Sequence, residues 1–339
     1  CGDAAHAGGT VWQPHHLEWD HWTSGGALAA WQGVERLRGI AVDLLCPAHG
    51  PVVRERPRLL LARLARRLLR LVEAKGQIAT GEPDLYAVPE TVRPAWRRIL
   101  PGLFQFGNNG YLLASRTGEA LVVDPFTGDL AALEALLAGE ARGLRPAVCA
   151  VSHYHFDHCD AAPELRRRYG ARLWLHPLIA EILDSPGEWD VPWLPRAPLR
   201  ADGIWPGHGN WRWHEFDFQV APWPGQTWWH CVFQTVVADQ RVLFAGDTFH
   251  PSSRWNGTGG FCAYNRSRFR EGFEAAARLA LDWRPDLVAA GHNTVCRFAP
   301  SYFRAVIRWS RRAEAAVRDL CPSGDIARDY YGAFPVSRR

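Results

Sequence analysis

Apolar positions along this chain follow two different periods, and their alternation predicts a mixed α/β fold. Residues 146–151 form an unbroken apolar run, which is typical of a buried strand, and residues 161–169 continue with the spacing of an amphipathic helix. The same order of strand and helix returns further along. Strands are predicted at residues 171–175, 231–237, 241–245 and 286–290, and helices at about residues 268–281 and 301–319.

A self-comparison of the sequence finds an internal repeat. The segment GDTFH at residues 246–250 recurs as GDAAH at residues 2–6, and AGHN at residues 290–293 recurs as PAHG at residues 47–50. The aspartate and the histidine of the two motifs are 45 residues apart in one copy and 46 in the other. We therefore expect two related units, of which the first is truncated.

The repeat divides the chain into predicted domains. In each copy the two motifs enclose an amphipathic helix and a short apolar strand, at about residues 26–38 and 41–45 in the first copy. We interpret residues 1–76 as the C-terminal half of a first domain plus a helix, and residues 95–300 as a complete second domain. The other predicted segments are a Pro- and Gly-containing linker at residues 77–94 and a C-terminal helix and tail at residues 301–339.

Composition argues against several classes of protein. The net charge is only +4 over 339 residues and Lys75 is the single lysine, so there is no strong signal for nucleic-acid binding. Arginines interrupt the leucine-rich residues 59–72, and no run of eighteen apolar residues occurs, which predicts no membrane span. Eight scattered cysteines are typical of reduced thiols, so we expect a cytoplasmic location. The oligomeric state has no sequence signature.

The chain starts at Cys1 and contains no methionine, which is typical of a fragment of a longer protein. A lipoprotein acylated at Cys1 is the alternative. Such a protein would carry a flexible polar tether after its cysteine, whereas here the repeat motif begins at Gly2. We therefore expect further sequence upstream, which would hold the rest of the first copy.

Residues 153–158 carry the sequence HYHFDH, with three imidazoles and a carboxylate in six positions. A chain with 14 histidines contains an occasional His-x-His by chance, and such a pair is more often surface decoration than a ligand set. The complete pattern, set between a predicted strand and a predicted helix, is far more specific. It predicts metal ligands, because imidazole nitrogen and aspartate oxygen suit zinc, iron or manganese.

Three further candidate ligands stand at the ends of predicted strands. His230 precedes the strand at residues 231–237, Asp247 follows the strand at residues 241–245, and His292 follows the last one. Strand ends on one side of a sandwich meet at a single edge. The sequence therefore predicts a two-metal site held on rigid elements.

These motifs identify the chain as similar to the metallo-β-lactamase superfamily, whose fold is a four-layer αββα sandwich. The resemblance covers about residues 105–297, and the later motifs recur within residues 1–53. The pattern at residues 109–112 and 121–125 resembles the opening strands of the family, with Asp124 as a structural aspartate near the site. The tandem arrangement resembles uncharacterised two-domain bacterial members.

The resemblance implies the role of each ligand. His153, His155 and His230 would hold the first ion. Asp157, His158 and His292 would hold the second ion, and Asp247 would bridge the two. We expect two divalent ions, zinc with iron or manganese as alternatives.

The implied activity is hydrolysis of an ester, thioester, lactone, amide or phosphodiester bond in a small molecule. Two ions sharing a water molecule give a hydroxide near neutral pH, with Asp157 and Asp247 as the catalytic carboxylates. Asp247 argues against antibiotic hydrolysis, because β-lactamases of this family usually lack the bridging aspartate. Two alternatives stay open: a mononuclear iron persulfide dioxygenase, and a binding or scaffold module with a degenerate first domain.

Loops near the ligand edge supply candidate substrate contacts. His250, and its repeat partner His6, would either donate a proton or cap a loop. Further candidates for substrate contact are Arg254, Trp255, Asn256 and Tyr264. Four other positions are interpreted as structural: His176, His208, His214 and Cys159.

The first copy has only two of the ligand positions, Asp3 and His49. The loop at residues 12–22 adds His15, His16 and His21, which would bind metal by themselves or form part of a tryptophan-rich docking surface; the docking surface is our preferred interpretation. We predict that residues 1–53 are catalytically silent and contribute packing only.

Overall fold

The computed structural model describes residues 2–18, 21, 23–76, 95–251 and 257–338, so the predicted linker lies outside the described residues. The helices are α1 Gly25–Arg38, α2 Pro57–Lys75, α3 Leu130–Ala138, α4 Ala162–Tyr169, α5 Pro177–Asp184, α6 Ala275–Trp283, α7 Pro300–Leu320 and α8 Ile326–Asp329. A π-helical turn at Phe269–Glu274 precedes α6. The helices predicted from apolar spacing are therefore confirmed. Most of their ends lie within one or two residues of the predicted ones.

The described strands form two sheets. The first has the order β1 to β7, with β1 Trp96–Leu100, β2 Leu103–Phe106, β3 Gly110–Ala114, β4 Glu119–Val123, β5 Arg145–Ala150, β6 Arg172–Leu175 and β7 Gly203–Ile204. The second has the order β13-β12-β11-β10-β9-β8, with β8 Gly209–Trp213, β9 Phe216–Pro222, β10 Cys231–Val237, β11 Gln240–Gly246, β12 Leu287–Ala290 and β13 Val295–Arg297. Pairing is parallel from β4 to β7 and between β11 and β12, and antiparallel elsewhere.

Two apolar cores fill the spaces between the layers. One lies between the sheets, where Leu112 and Val122 of the first sheet join Phe233 and Phe244 of the second. The other joins the outer face of the second sheet to α6, α7 and α2, while α3 and α4 pack on the first sheet. Each fully buried Val, Leu or Phe side chain contributes about 1.5–3 kcal/mol. The predicted α/β fold class and its four-layer αββα sandwich are confirmed.

The described residues 2–18, 21 and 23–76, which we call the N-terminal unit, are built around helices α1 and α2. Helix α2 buries Leu61, Leu64 and Leu68 against α1 and α7, and Trp309 Nε1 of α7 donates to the Ala74 carbonyl at 2.7 Å. The strand predicted at residues 41–45 is wrong. Leu45 pairs with Val53 only in an isolated bridge, since the described part of this unit supplies no neighbouring strand for its backbone groups.

Two predictions from composition can be compared with the fold. No helix among the described residues combines the length and the apolarity that crossing a membrane requires. The seven described cysteines are all free thiols, as predicted, and all except Cys46 are buried. The interpretation of residues 1–76 as half of a second copy, and the domain boundaries, stay predictions.

Candidate metal centre

The two sheets meet at one edge through the loops that carry the predicted ligands. His153, after β5, forms an isolated bridge with His230, before β10. In the second sheet Gly291 N donates to the Gly246 carbonyl at 2.7 Å, which sets the loop after β12 beside the loop after β11. Residues far apart in sequence are thereby fixed within one small volume.

Asp124, at the end of β4, fixes the HYHFDH loop. Its backbone φ is +49°, and a non-glycine residue in this region costs about 1–2 kcal/mol. Its carboxylate accepts hydrogen bonds from Ser152 N and Ser152 Oγ, both at 2.7 Å, and lies 3.1 Å from His158 Nδ1. Asp124 therefore contacts both ends of the loop, in agreement with a structural role beside the site.

Five histidines, which we call the histidine cluster, each have one ring nitrogen beside a polar protein group. The neighbours are Ser152 Oγ for His153 Nδ1 (3.0 Å), Asn265 Oδ1 for His155 Nε2 (3.0 Å), Asp124 Oδ2 for His158 Nδ1 (3.1 Å), the Cys231 carbonyl for His230 Nδ1 (3.0 Å) and Asn108 Nδ2 for His292 Nδ1 (2.8 Å). Such contacts orient the rings of metal-binding histidines, and an acceptor also selects the tautomer whose other nitrogen is free to bind.

Three of the opposite ring nitrogens, those of His153, His158 and His292, face two carboxylates. The distances to Asp247 Oδ2 are 3.0 Å from His292 Nε2, 3.4 Å from His158 Nε2 and 3.9 Å from His153 Nε2. Asp157 Oδ2 lies 3.7 Å from both His158 Nε2 and His292 Nε2. His230 Nε2 is 3.4 Å from the Asp247 nitrogen, and His155 Nδ1 is 3.1 Å from His153 Nε2. All seven predicted ligands are thus brought together.

Burial and charge determine the protonation of the cluster. Burial lowers the pKa of His230 to about 3 and lowers that of His153 well below its usual value, so these rings are neutral, as metal binding requires. Burial also opposes the charge on Asp247, but His292 and His158 outweigh it and hold the pKa of this carboxyl well below its usual range. His158 differs from these two rings: burial opposes its charge, but Asp247, Asp157 and Asp124 raise its pKa well above the usual value. The cluster therefore combines two neutral imidazoles, at His153 and His230, with an ionised buried carboxylate.

One oxygen in the cluster lacks a partner. Among the described residues no donor reaches Asp247 Oδ1, which is buried, and an unpaired buried polar atom costs about 1–3 kcal/mol. The backbone leaves space around it, because a Cβ at Gly291 would lie only 2.0 Å from this oxygen. At the same edge, Gly246 has φ +49°, and a Cβ there would lie 2.8 Å from His230 Nε2. A cation is the partner that this arrangement fits.

Two groups of donor atoms have the spacing of metal ligands. His153, His158 and Asp247 form one group and Asp157, His158 and His292 the other, and within each group the donor atoms lie within 4.8 Å of one another. Imidazole nitrogen with carboxylate oxygen is a donor set for zinc, iron or manganese. The residues present therefore fit divalent metal.

The family model of the metallo-beta-lactamase superfamily matches residues 103–292, which is more than half of the chain. The chain belongs to this superfamily. The resemblance found in its sequence is therefore confirmed.

Individual relatives differ in how much of the chain they cover. A hydroxyacylglutathione hydrolase of Xanthomonas oryzae pv. oryzae is 33% identical over 140 residues, which are 41% of this chain and 45% of that protein. The chain thus spans about half the length of this curated relative. Two solved structures, the Cronobacter sakazakii metallo-beta-lactamase with a HARLDQ motif and the DIM-1 metallo-beta-lactamase, are each 16% identical with a TM-score of 0.50. They cover 66% and 67% of this chain, and 92% and 99% of their own chains, and show the fold alone.

The sequence analysis missed residues that hold the predicted ligands in place. Asn265 contacts His155, and Asn109 Nδ2 donates to the Asp157 carbonyl at 2.9 Å and to Asp157 Oδ2 at 3.1 Å. Asn109 is the first residue of the recognised motif at residues 109–112, so its position offered a signal. Asn265 is 110 residues from His155 in an irregular loop, and no local pattern marks it.

The predicted substrate contacts divide into three cases. His250 is fully buried, with its ring 6.2 Å from that of His292 and Nδ1 3.4 Å from Thr294 Oγ1, so it lies behind a predicted ligand. Tyr264 packs against Phe334, with ring centroids 4.5 Å apart. The predicted contacts that lie outside the described residues are Arg254, Trp255 and Asn256.

The residues interpreted as structural lie away from the donor atoms or are inert. His208 is exposed in a turn, and His176 Nδ1 accepts from Leu178 N and caps α5. His214 Nε2 lies 2.8 Å from Glu119 Oε2. Burial raises the pKa of Cys159 well above its usual value, so this cysteine remains a thiol.

The first copy retains one contact of the centre. His49 Nδ1 lies 2.7 Å from Asp3 Oδ1, and the His49 ring stacks on Trp12 with centroids 4.7 Å apart. The described residues around this pair supply no second group of metal-binding spacing. Catalytic silence of residues 1–53 stays a prediction, but the same region sends His21 to the histidine cluster, where its ring lies 6.2 Å from that of His155.

Proposed function

We propose that this chain is a dinuclear metallohydrolase that cleaves a thioester bond in a small molecule. The proposal is carried by one observation: of five imidazoles that are each oriented by a protein neighbour, three converge on the carboxylates of Asp247 and Asp157. The other two, His155 and His230, lie beside them. A cluster with a purely structural role would not place ring nitrogens against an ionised carboxylate and leave the second carboxylate oxygen unpaired. Both features occur at Asp247 among the described residues.

The ligands divide into two half-sites in this proposal. One ion would be held by His153, His155 and His230. The other would be held by Asp157, His158 and His292, with Asp247 between the two. Zinc is the expected metal, and iron and manganese suit the same donors. When bound, such ions supply Lewis-acid activation of a water molecule and of the carbonyl that it attacks.

Asp157 is the residue assigned to the proton. Its side chain is 22% exposed, against 1% for Asp247, so it lies on the accessible side of the cluster. Asn109 donates to it and fixes the direction of the free carboxylate oxygen. Asp157 would orient the attacking water and accept its proton. Water then adds to the thioester carbonyl, the carbon–sulfur bond breaks, and a carboxylic acid and a thiol leave.

Thioester is chosen over the other bonds for two reasons. The hydroxyacylglutathione hydrolase relative is 33% identical over the matched residues. In addition, Asp247 argues against a β-lactam substrate, because antibiotic-hydrolysing members usually lack this aspartate. Esters and lactones present a similar carbonyl and are the next substrates to try.

The test combines metal analysis with a substrate panel. We expect about two divalent ions per chain and hydrolysis of a hydroxyacylglutathione thioester in preference to a nitrophenyl ester, a lactone and a phosphodiester. Asp247→Asn should lower kcat/KM by about a thousandfold, equivalent to about 4 kcal/mol. Asp239→Asn makes the same chemical change at an exposed turn residue and should leave kcat/KM unchanged.

Other outcomes contradict the proposal in identifiable ways. A single iron per chain with oxygen consumption on a persulfide would assign the protein to the dioxygenase alternative. The absence of bound metal, with Asp247→Asn as active as the wild type, would refute the metallohydrolase. The absence of both metal and hydrolysis of every substrate tested would leave only the binding or scaffold interpretation.

A further inference from the structure

The N-terminal unit is fixed to the loop that follows β11. Glu18 is 1% exposed, and its carboxylate accepts hydrogen bonds from Ala263 N at 3.3 Å and from the Tyr330 hydroxyl. Its carbonyl accepts from the Cys262 thiol at 2.7 Å. Lys75 Nζ, at the end of α2, donates to the Phe261 carbonyl at 2.6 Å. These contacts hold residues 14–18 against residues 261–263, because each is made by a buried polar group, and buried polar groups keep their hydrogen-bond partners.

The loop contacted in this way also serves the histidine cluster. The 3-10 turn Ala263–Asn265 follows directly, and Asn265 Oδ1 lies 3.0 Å from His155 Nε2. Asn265 Nδ2 donates to the Gln226 carbonyl at 3.0 Å, which fixes the carboxamide. The N-terminal unit and the HYHFDH loop are therefore joined through one short turn.

His21 reaches the cluster itself. It is 2% exposed, its ring is 6.2 Å from that of His155, and it meets Trp193 edge to face with centroids 4.4 Å apart. The Trp193 ring is 5.4 Å from that of His155. We call this contact surface the His21–Trp193 wall.

The position of Trp193 is fixed through its backbone. Its carbonyl accepts from Phe156 N of the HYHFDH loop at 2.9 Å, and its φ of +60° is unusual for a bulky residue. Backbone in this region persists where the surroundings enforce it, and it concentrates at functional sites. The same tryptophan lines a cavity of about 410 Å³, whose other lining residues are Asp190, Val191, Pro192, Tyr264 and Phe334.

We propose that the His21–Trp193 wall forms one side of the active site and restricts the substrate to thioesters of short acyl groups. Trp193 both contacts His155 and lines the cavity, and His21 packs on Trp193. The His21 and Trp193 rings lie 6.2 and 5.4 Å from that of His155, which leaves no room between the rings for a bulky group. This inference rests on the proposed thioester hydrolysis and adds that a residue of the N-terminal unit selects the acyl group.

The test compares acyl groups on one thiol. Hydrolysis of acetyl, butyryl and benzoyl thioesters is measured for the wild type, His21→Ala, His21→Phe and His16→Ala. Removal of the His21 ring frees space beside His155 and Trp193, so His21→Ala should raise the benzoyl-to-acetyl ratio of kcat/KM by roughly tenfold or more. His21→Phe keeps a ring and should retain the wild-type ratio. His16 is exposed on the same segment, and His16→Ala is the matched control.

Metal content and thermal unfolding accompany the kinetics. The proposal expects unchanged metal content in His21→Ala; loss of metal, or a wild-type acyl ratio in the folded and metal-loaded variant, would overturn it. If His21→Ala does not fold, Trp193→Phe, which shortens the other ring of the wall, must raise the same ratio, and an unchanged ratio refutes the proposal. A wild type that hydrolyses no thioester would instead remove the proposed function.

Discussion

The pairs Asp3–His49 and Asp247–His292 share their sequence context and differ in their surroundings. Asp3 and His49 are 58% and 47% exposed, and their contact uses His49 Nδ1. Asp247 and His292 are 1% and 13% exposed, and their contact uses His292 Nε2. In the first pair the histidine stacks on Trp12, whereas in the second it joins the cluster. The same two side chains therefore make a surface contact in one place and part of a candidate metal centre in the other.

The difference lies in what the opposite sheet contributes. An exposed ion pair is worth at most about 1 kcal/mol and needs no further partner. A buried carboxylate is costly unless matched, and Asp247 is matched by His158 and His292 through one oxygen only. The repeated motifs thus supply half of a centre, and the HYHFDH loop supplies the other half.

The largest expected effect comes from removing His292, the histidine of the second pair, and His49 of the first pair provides the control. His292→Ala should lose one of the two ions and lower kcat/KM by about a thousandfold, since a ligand and the partner of Asp247 disappear together. His49→Ala should keep both ions and full activity. Metal analysis and thioester hydrolysis check both variants. A drop in metal content in His49→Ala would mean that the first pair also binds metal.

Strands and helices of the complete domain could be predicted because apolar period and burial agree there. The meeting of the seven candidate ligands could be predicted because the HYHFDH spacing is specific and the other three stand at strand ends. The prediction of a strand at residues 41–45 was wrong, since a strand depends on pairing with neighbouring strands, which a local sequence pattern does not contain. Asn265 and Glu18 were missed for the same reason: their contacts reach across 110 or more residues. His21 was named only as part of a docking surface or of a separate metal site, because its contact with His155 is equally distant in sequence.

The glycine of the second copy offers a finer test of the same comparison. Gly291 aligns with Ala48 of the first copy, which therefore carries a Cβ where the second cannot. In Gly291→Ala the new Cβ would lie 2.0 Å from Asp247 Oδ1, so the carboxylate must move. We expect metal affinity to fall by about 10–100-fold, measured by competition with a chelator. Ala48→Gly, at an exposed position, is the control and should bind metal like the wild type. Equal affinities in all three proteins would show that Asp247 Oδ1 does not face metal.

The smallest effect concerns how the two repeat helices, α7 and α2, are attached. Glu274 accepts hydrogen bonds from Arg311 and Arg278, which lower its pKa from 4.5 to about 2. Because the folded pKa lies below the unfolded one, this interaction stabilises the fold above about pH 4.5 and is lost as the pH falls towards 2. Glu274→Gln should therefore lower Tm by about 1–2 °C at pH 7, and the difference from wild type should vanish near pH 2. Glu73→Gln, on the exposed face of α2, should unfold like the wild type at each pH. A Tm difference for Glu274→Gln that persists in acid would mean that the side chain stabilises the fold through packing and not through its charge.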